Sequence, residues 1–190
     1  MIDEVLSRTN PDARILVVGD GDLSFSKSLS EAIISTSRTL TASVLEASEF
    51  ELVNNYPSSP QNIAKIHTLA ESNSKIKLLF NVNATSLDHS IPTSSMSLII
   101  FNFPQTPPET NTHRKVQFQR LLISNFLASA LQILSDDVDS DSKIFLTLAR
   151  GQGGIEYIEK SNLRPNEKDS WQVGKTLAGV VNRTTARASQ

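Results

Sequence analysis

The sequence contains no cysteine. Disulfides, thiolate nucleophiles and zinc–thiolate sites are therefore excluded, and the lack of disulfides suits an intracellular protein. No apolar run approaches the roughly 18–20 residues that span a bilayer, so no membrane partner is expected. The opening Met1-Ile2-Asp3-Glu4 is acidic and lacks the basic, apolar, small-residue order of a secretory signal. Excess charge of either sign is also missing. Lys and Arg number 18 against 20 Asp and Glu, a formal net charge of −2. That balance argues against a stand-alone nucleic-acid binder, whose footprint is usually basic, but leaves room for a local basic patch. The three histidines, His67, His89 and His113, have no metal-ligand spacing, and no metal is expected. There is no Ser/His/Asp set tied to a strained nucleophile turn, no internal repeat and no dense basic localisation run.

What is present is an alternation of strands and helices. The 190 residues, 38% of them hydrophobic, fit one domain with a sizeable core. Five apolar runs predict strands near 14–19, 40–46, 76–82, 96–102 and 143–149. The last two are almost continuously apolar or β-prone, as in strands buried on both faces of a parallel sheet. Helical spacing falls between them. Residues 24–37 start at Ser24, an expected N-cap, and place Phe25, Leu29, Ala32 and Ile33 on one face. Residues 59–72 and 114–134 carry further apolar stripes. The alternation predicts an α/β fold with right-handed crossovers, a mostly parallel sheet and helices on both faces. The run 135–142 reads as an acidic surface loop without the Gly and terminal Glu of a calcium site. Beyond 150 the pattern weakens to a glycine turn, a polar stretch, and a short amphipathic piece over 170–181 with the only Trp. The reading is one domain over 1–190, with its core at 14–181 and a frayed tail at 182–190.

The most informative segment is Ile15-Leu-Val-Val-Gly19-Asp20-Gly21-Asp22-Leu23-Ser24. A β-branched run enters a Gly-x-Gly turn, the start of a nucleotide-type βαβ unit whose backbone N–H groups can face a cofactor. Ser24 replaces the third glycine of the dinucleotide pattern. Asp20 and Asp22 would repel a pyrophosphate but can hold an ammonium or hydroxyls, which favours S-adenosyl-L-methionine. The plain alternative is a tight turn without a ligand. Glu46 ends the second strand, where an acid accepts from ribose hydroxyls. Asn83 follows the third strand and can accept from an adenine amino group, more weakly than Asp. Both also read as ordinary loop residues. Phe101-Asn102-Phe103-Pro104-Gln105 ends the fourth strand. Pro104 forces the chain out of the sheet and leaves Asn102 in the ligand crevice. An Asn beside an aromatic and a Pro is similar to the Asn-Pro-Pro-Tyr loops of nitrogen-methylating enzymes, which hold a planar base. His113 beside Arg114 and Lys115 is a candidate base or phosphate contact, and Arg150 in Arg150-Gly-Gln-Gly-Gly154 a candidate phosphate contact.

Several of these segments together resemble one family. They are Val18 to Ser26, Asn55-Tyr56-Pro57 followed by Asn62, Asn83 to Leu87, and Phe101 to Gln105. They resemble the Rossmann-like domain of ribosomal RNA uridine-N(3)-methyltransferases. Arg150 to Ile155 and Asp169 to Val173 are similar to the branch at the front of ferredoxin-fold anticodon-binding domain-containing proteins. The resemblance implies a class I S-adenosylmethionine-dependent methyltransferase fold acting on a uridine ring nitrogen in RNA, in the nucleolus, nucleus or cytoplasm. It implies a cofactor loop of Gly19, Asp20, Gly21, Asp22 and Ser24. Glu46 meets the ribose and Asn83 with Ala84 the adenine, the first two in place of the usual Asp. Asn102, Phe103 and Pro104 line the catalytic pocket for the base, and Gln105 stands where the family has His. Loss of the imide proton requires a base or a solvent path; Asp22, Glu109 and His113 are candidates for that base by position or chemistry. The final strand pair of such a sheet is expected to be missing. Two other readings remain: a non-catalytic interaction module on the same fold, and a nicotinamide-dependent oxidoreductase, which Ser24 and the acidic turn oppose.

Overall fold

The computed structural model describes residues 2–136, 142–149, 152 and 178–182. The elements are helix α1 (Ile2–Ser7), strand β1 (Arg14–Val18), α2 (Ser24–Ile33), β2 (Thr39–Ser43), α3 (Glu49–Asn55), α4 (Ser59–Ser72), β3 (Ile76–Leu79), β4 (Leu98–Asn102), α5 (Thr112–Ile133), β5 (Lys143–Thr147) and β6 (Ala178–Asn182), with a 3-10 turn at Leu87–His89. The sheet order is β3-β2-β1-β4-β5-β6. Neighbours among β1 to β5 are parallel, whereas β6 runs antiparallel to β5. The sequence order therefore reverses between β1 and β4, where open α/β sheets form their ligand crevice.

Alternation along the strands builds the core on both faces. Leu16 and Val18 of β1, Ile99 and Phe101 of β4, and Ile144 and Leu146 of β5 point to one face, where Ile123, Phe126, Ala130 and Ile133 of α5 cover them. Ile15, Val17, Leu40, Leu98 and Ile100 point to the other, against Val5 of α1 and Leu29 and Ile33 of α2. Ile63 and Ile66 of α4 extend that layer with Leu52, Ala42 and Ile76. Period-two alternation in the strands and the apolar stripes of the helices match face for face.

The five expected strands and three expected helices are all present, α4 with the bounds read from the sequence. Three short elements are additional: α1, α3 and the 3-10 turn. Two expectations are corrected. Ser24 does not cap α2; the N-cap is Leu23, in the left-handed region at φ 62°, and its side chain makes no cap. The C-terminal strand pair is not wholly missing, because β6 occupies the place beside β5. Residues 178–181, read as part of an amphipathic piece, belong to that strand. Its register with β5 comes from a partner more than 30 residues away, which local pattern cannot supply. Residue 182 closes β6. The rest of the tail, the Arg150–Gly154 turn apart from Gln152, the Trp-containing segment and most of the acidic loop lie outside the described residues.

Phe126 is fully buried, and its ring meets Phe101 edge-on at 4.8 Å between centroids. Phe126→Ala is expected to cost about 3–5 kcal/mol by leaving a cavity under the β1–β4 junction. Urea unfolding followed by circular dichroism measures this, and a loss under about 1 kcal/mol would contradict the packing described.

Candidate functional site at the carboxyl edge of the sheet

The glycine turn leaves β1 at the reversal point. Val18 pairs with Ser43 on one side and Phe101 on the other, so the turn stands between the ends of β2 and β4. Gly19 has φ +62°, and a Cβ there would lie 3.0 Å from the Phe101 ring. Both facts require glycine. The Gly19 N–H donates to the Ser43 carbonyl at 2.8 Å, Gly21 N–H to the Gly19 carbonyl at 3.0 Å, and Leu23 N–H to the Asp20 carbonyl at 2.7 Å. The Asp20 N–H meets no acceptor among the described residues, so it is a backbone donor the turn presents, whereas the Asp22 N–H is turned to its own carboxylate.

The two aspartates serve α2 rather than standing free. The Ser26 N–H donates to Asp20 Oδ2 at 2.6 Å, and the Ser24 N–H to Asp22 Oδ1 at 3.0 Å. These carboxylates satisfy orphan N–H groups of the helix start, the task expected of Ser24. Helix α4 grips the same turn. Ser58 Oγ donates to Asp22 Oδ2 at 3.2 Å, and Asn62 Nδ2 to the Asp22 carbonyl at 2.8 Å. The acids titrate in opposite directions. Burial holds Asp20 above the usual carboxylate range; hydrogen bonds from Ser26 oppose this and the Asp22 charge adds to it. Burial also acts to raise Asp22, but hydrogen bonds from Ser24 and Ser58 outweigh it, and its carboxyl is lowered. Asp22 is thus an anion at neutral pH.

The second wall comes from α3. Ser48 caps this helix by accepting from the Glu51 N–H at 3.3 Å, while Glu51 accepts from the Ala47 N–H at 2.8 Å. The helix ends in Asn55 and Tyr56. Asn55 Nδ2 donates to Glu46 Oε1 at 3.3 Å, and the Asn81 N–H donates to the Glu46 carbonyl at 2.7 Å. The Tyr56 ring lies over Gly21, where an added Cβ would sit 2.7 Å from Cε1. Burial raises the Tyr56 phenol, and the charges of Glu46 and then Asp22 raise it further. The phenol therefore sits within the field of both acids. Residues 55, 56 and 62 entered the sequence reading only through the resemblance, and Ser58 not at all. The spacing Ser48-x-x-Glu51 is a capping-box signal that would have located α3 and so the Tyr56 wall.

At the end of β4, Asn102 Oδ1 accepts from Thr147 Oγ1 at 2.8 Å, and the Phe103 N–H donates to the Thr147 carbonyl at 2.8 Å. Phe103 is left-handed, at φ 49°, with 42% of its surface exposed. Pro104 is buried, and its carbonyl accepts from the amides of Gln119, at 2.9 Å, and Gln152. The corner is thus tied to β5 and α5. Of the five positive-φ residues among the described ones, Gly19, Leu23, Asn81 and Phe103 lie on loops leaving the carboxyl ends of β1, β3 and β4. Backbone strain concentrates at this edge, as it does in ligand sites.

Gly19 to Ser24, Glu46, Asn102, Phe103 and Pro104 therefore share one edge around the reversal point. Asn83 also lies on that edge, but its Oδ1 accepts from both the N–H and the hydroxyl of Thr85 at 2.9 Å. The oxygen expected to meet an adenine is spent on a local turn. Ala84 packs against the α5-side core. Glu109 Oε1 accepts from the Asn111 N–H, and His113 belongs to the first turn of α5 rather than a loop. Arg150 lies outside the described residues. Among the described residues no cluster of three His, Cys, Asp or Glu could hold a metal, and no helix is long and apolar enough to cross a membrane.

Two outcomes follow. A raised folded-state pKa makes Asp20 favour the fold most below its ordinary value of 3.8, a contribution lost as pH rises through the folded value. Asp20→Asn is therefore expected to gain thermal stability relative to the parent between about pH 4 and pH 7; a difference in melting temperature that stays constant across the range contradicts this. Gly21→Ala is expected to push the Tyr56 ring off the turn, and Tyr56→Ala to relieve the strain. Stability recovered in the double variant, read from a double-mutant cycle, checks the contact.

A family model described as BMT5-like rRNA (uridine-N3-)-methyltransferase matches residues 16–187. The ferredoxin-fold anticodon-binding domain-containing protein 1 homolog of Mus musculus is 27% identical over 163 residues, covering 84% of this chain and 23% of its own length. An uncharacterized Arabidopsis thaliana protein is 30% identical over 151 residues, 77% of this chain and 70% of its own length. The chain thus spans about a quarter of the mouse relative. Among solved structures, TrmN from Thermus thermophilus has a TM-score of 0.51 at 16% identity, covering 86% of this chain and 40% of that one. A Clostridium thermocellum protein described as an rRNA methylase has a TM-score of 0.52 at 9% identity, covering 87% and 81%. These likenesses establish a Rossmann-like methyltransferase fold, and on the family match the chain belongs to the BMT5-like rRNA (uridine-N3-)-methyltransferase family.

Proposed function

We propose that this chain is an S-adenosyl-L-methionine-dependent methyltransferase domain acting on N3 of a uridine in ribosomal RNA. The observation that carries the reading is the juxtaposition, on paired strands at the sheet's reversal point, of an acidic glycine turn and the Asn102-Phe103-Pro104 corner. The donor set suits this cofactor: an ionised Asp22 fits an ammonium, and the same pair of aspartates opposes a pyrophosphate.

When bound, the cofactor supplies a sulfonium methyl that is already electrophilic. The protein's work is then alignment and electrostatics. Asp22 would hold the ammonium of the amino-acid tail, and the Asp20 N–H would serve as the backbone donor for its carboxylate. Gly19 and Gly21 let the chain come close, Ser24 keeps Asp22 in place, and Glu46 accepts from the ribose. Asn83 and Ala84 border the adenine side, with Asn83 contributing its amide N–H rather than its engaged oxygen. Asn102 hydrogen-bonds the uracil edge, Phe103 offers a face to the ring, and Pro104 holds the corner rigid through Gln119. The imide proton leaves to a base or to solvent; Glu109 and His113 stand on the loop and helical turn that follow the corner. A ribosomal substrate sets the place of action in the nucleolus, nucleus or cytoplasm. The chain acts as one domain over 1–190.

The second reading, a non-catalytic binding module, draws on the engaged oxygen of Asn83. Calorimetry with S-adenosyl-L-methionine and a methylation assay on uridine-rich RNA separate the two. Binding with transfer of label to uridine is the expected result, with Asp22→Asn weakening cofactor affinity about tenfold. Binding without transfer supports the module, and no binding by folded protein overturns both.

A further inference from the structure

We infer that the outer face of the first half of α5 is a docking strip for single-stranded RNA, feeding a nucleotide into the Asn102–Pro104 corner. The inference rests on the methyltransferase reading for the identity of the polymer, and on three observations for its place.

The first is charge. Acids outnumber bases in the chain, 20 to 18, yet the 22 residues of α5 contain no Asp or Glu. Their cations, Arg114, Lys115 and Arg120, all lie in the first half. Arg114 and Lys115 outweigh Glu109, whose carboxylate accepts from the N–H of the N-cap Asn111, and an excess of positive charge on a near-neutral protein attracts a polyanion to that place.

The second is exposed apolar surface on the same helix. Phe118 and Leu121 are 46% and 57% exposed, whereas Gln119, Ile123 and Phe126 face the core. Arg114, Phe118 and Leu121 follow i, i+4, i+7 and share one stripe, with Lys115 beside it. The stripe is about 10 Å long. Cations flanking an exposed aromatic match the chemistry of an unpaired strand, which offers phosphates and an open base face.

The third is connection. Gln119 Nε2 donates to the Pro104 carbonyl at 2.9 Å, so this turn of α5 is fastened to the base corner. Phe103, the residue before Pro104, is a second exposed aromatic at that corner. A strand with phosphates on Arg114 and Lys115 and a base on Phe118 then runs beside the helical turn that Gln119 fastens to the corner.

The test uses the full chain and a labelled uridine-rich single-stranded RNA, read by fluorescence anisotropy over a salt series, with S-adenosylhomocysteine titrated separately by calorimetry. Arg114→Ala combined with Lys115→Ala is expected to weaken RNA binding at least tenfold and to reduce the magnitude of the log K against log salt slope by about 1.4, two phosphate contacts' worth. Phe118→Ala is expected to weaken it about tenfold at an unchanged slope. Both should melt like the parent and keep its affinity for S-adenosylhomocysteine. Parental RNA affinity in both variants overturns the strip, as does a parent protein that binds no RNA. A Phe118→Ala variant that loses self-association but keeps RNA affinity also overturns it, in favour of a protein partner. Failure of the parent to bind S-adenosylhomocysteine while the variants lose RNA affinity sinks the methyltransferase reading and leaves the strip standing.

Discussion

The parallel pairing of β1 with β4 is the constraint on which the site depends. It puts Val18 opposite Phe101, so the chain leaves the sheet twice at one level, once through an acidic glycine turn and once through an Asn-Phe-Pro corner. Contact is so close that a Cβ at Gly19 would press on the Phe101 ring at 3.0 Å, on a backbone whose φ of +62° already disfavours a side chain. The same ring packs edge-on against Phe126 of α5. One aromatic thus joins the core, the glycine turn and the Asn102–Pro104 corner, and a disturbance of core packing is transmitted directly to the geometry of the edge.

The turn itself is held by polar groups. Two carboxylates fill N–H groups at the start of α2, and Ser58 and Asn62 fasten the turn from α4. This arrangement explains why opposite titration shifts occur two residues apart. Asp20 is held where burial dominates, and Asp22 where hydrogen-bond donors do. A negative charge at Asp22 is then available to a cationic ligand without a further conformational change, the kind of preorganisation that makes an electrostatic contact effective.

The α3–α4 corner gives a physical meaning to the Asn55-Tyr56 and Asn62 positions. Asn55 holds Glu46, Tyr56 roofs Gly21, and Asn62 anchors the turn. Gly21 is thus explained by the ring above it, which leaves no room for a Cβ. On the other side of the reversal point, Gln119 ties α5 to the Pro104 carbonyl, so the long helix that covers one face of the sheet also sets the position of the Asn102–Pro104 corner.

The amino-acid pattern by itself determined the strand cores, α4 and the long α5, because burial on a pleated sheet or a helix face repeats with a period that local sequence displays. It also determined that Gly19–Asp22, Glu46, Asn83 and Asn102 stand at carboxyl ends of strands, since each follows an apolar run directly. The short α3 was legible in its capping box, although its apolar face is too brief to show a period. Tertiary structure alone decided the rest. Leu23 rather than Ser24 became the N-cap of α2, because Asp20 and Asp22 reach the helix start across a left-handed turn. The Asn83 oxygen went to Thr85, Tyr56 came to lie on Gly21, and β6 found β5 across more than 30 residues. Each of these is a choice among partners distant in the chain or equivalent in chemistry, and such choices are made by packing, which a linear pattern does not encode.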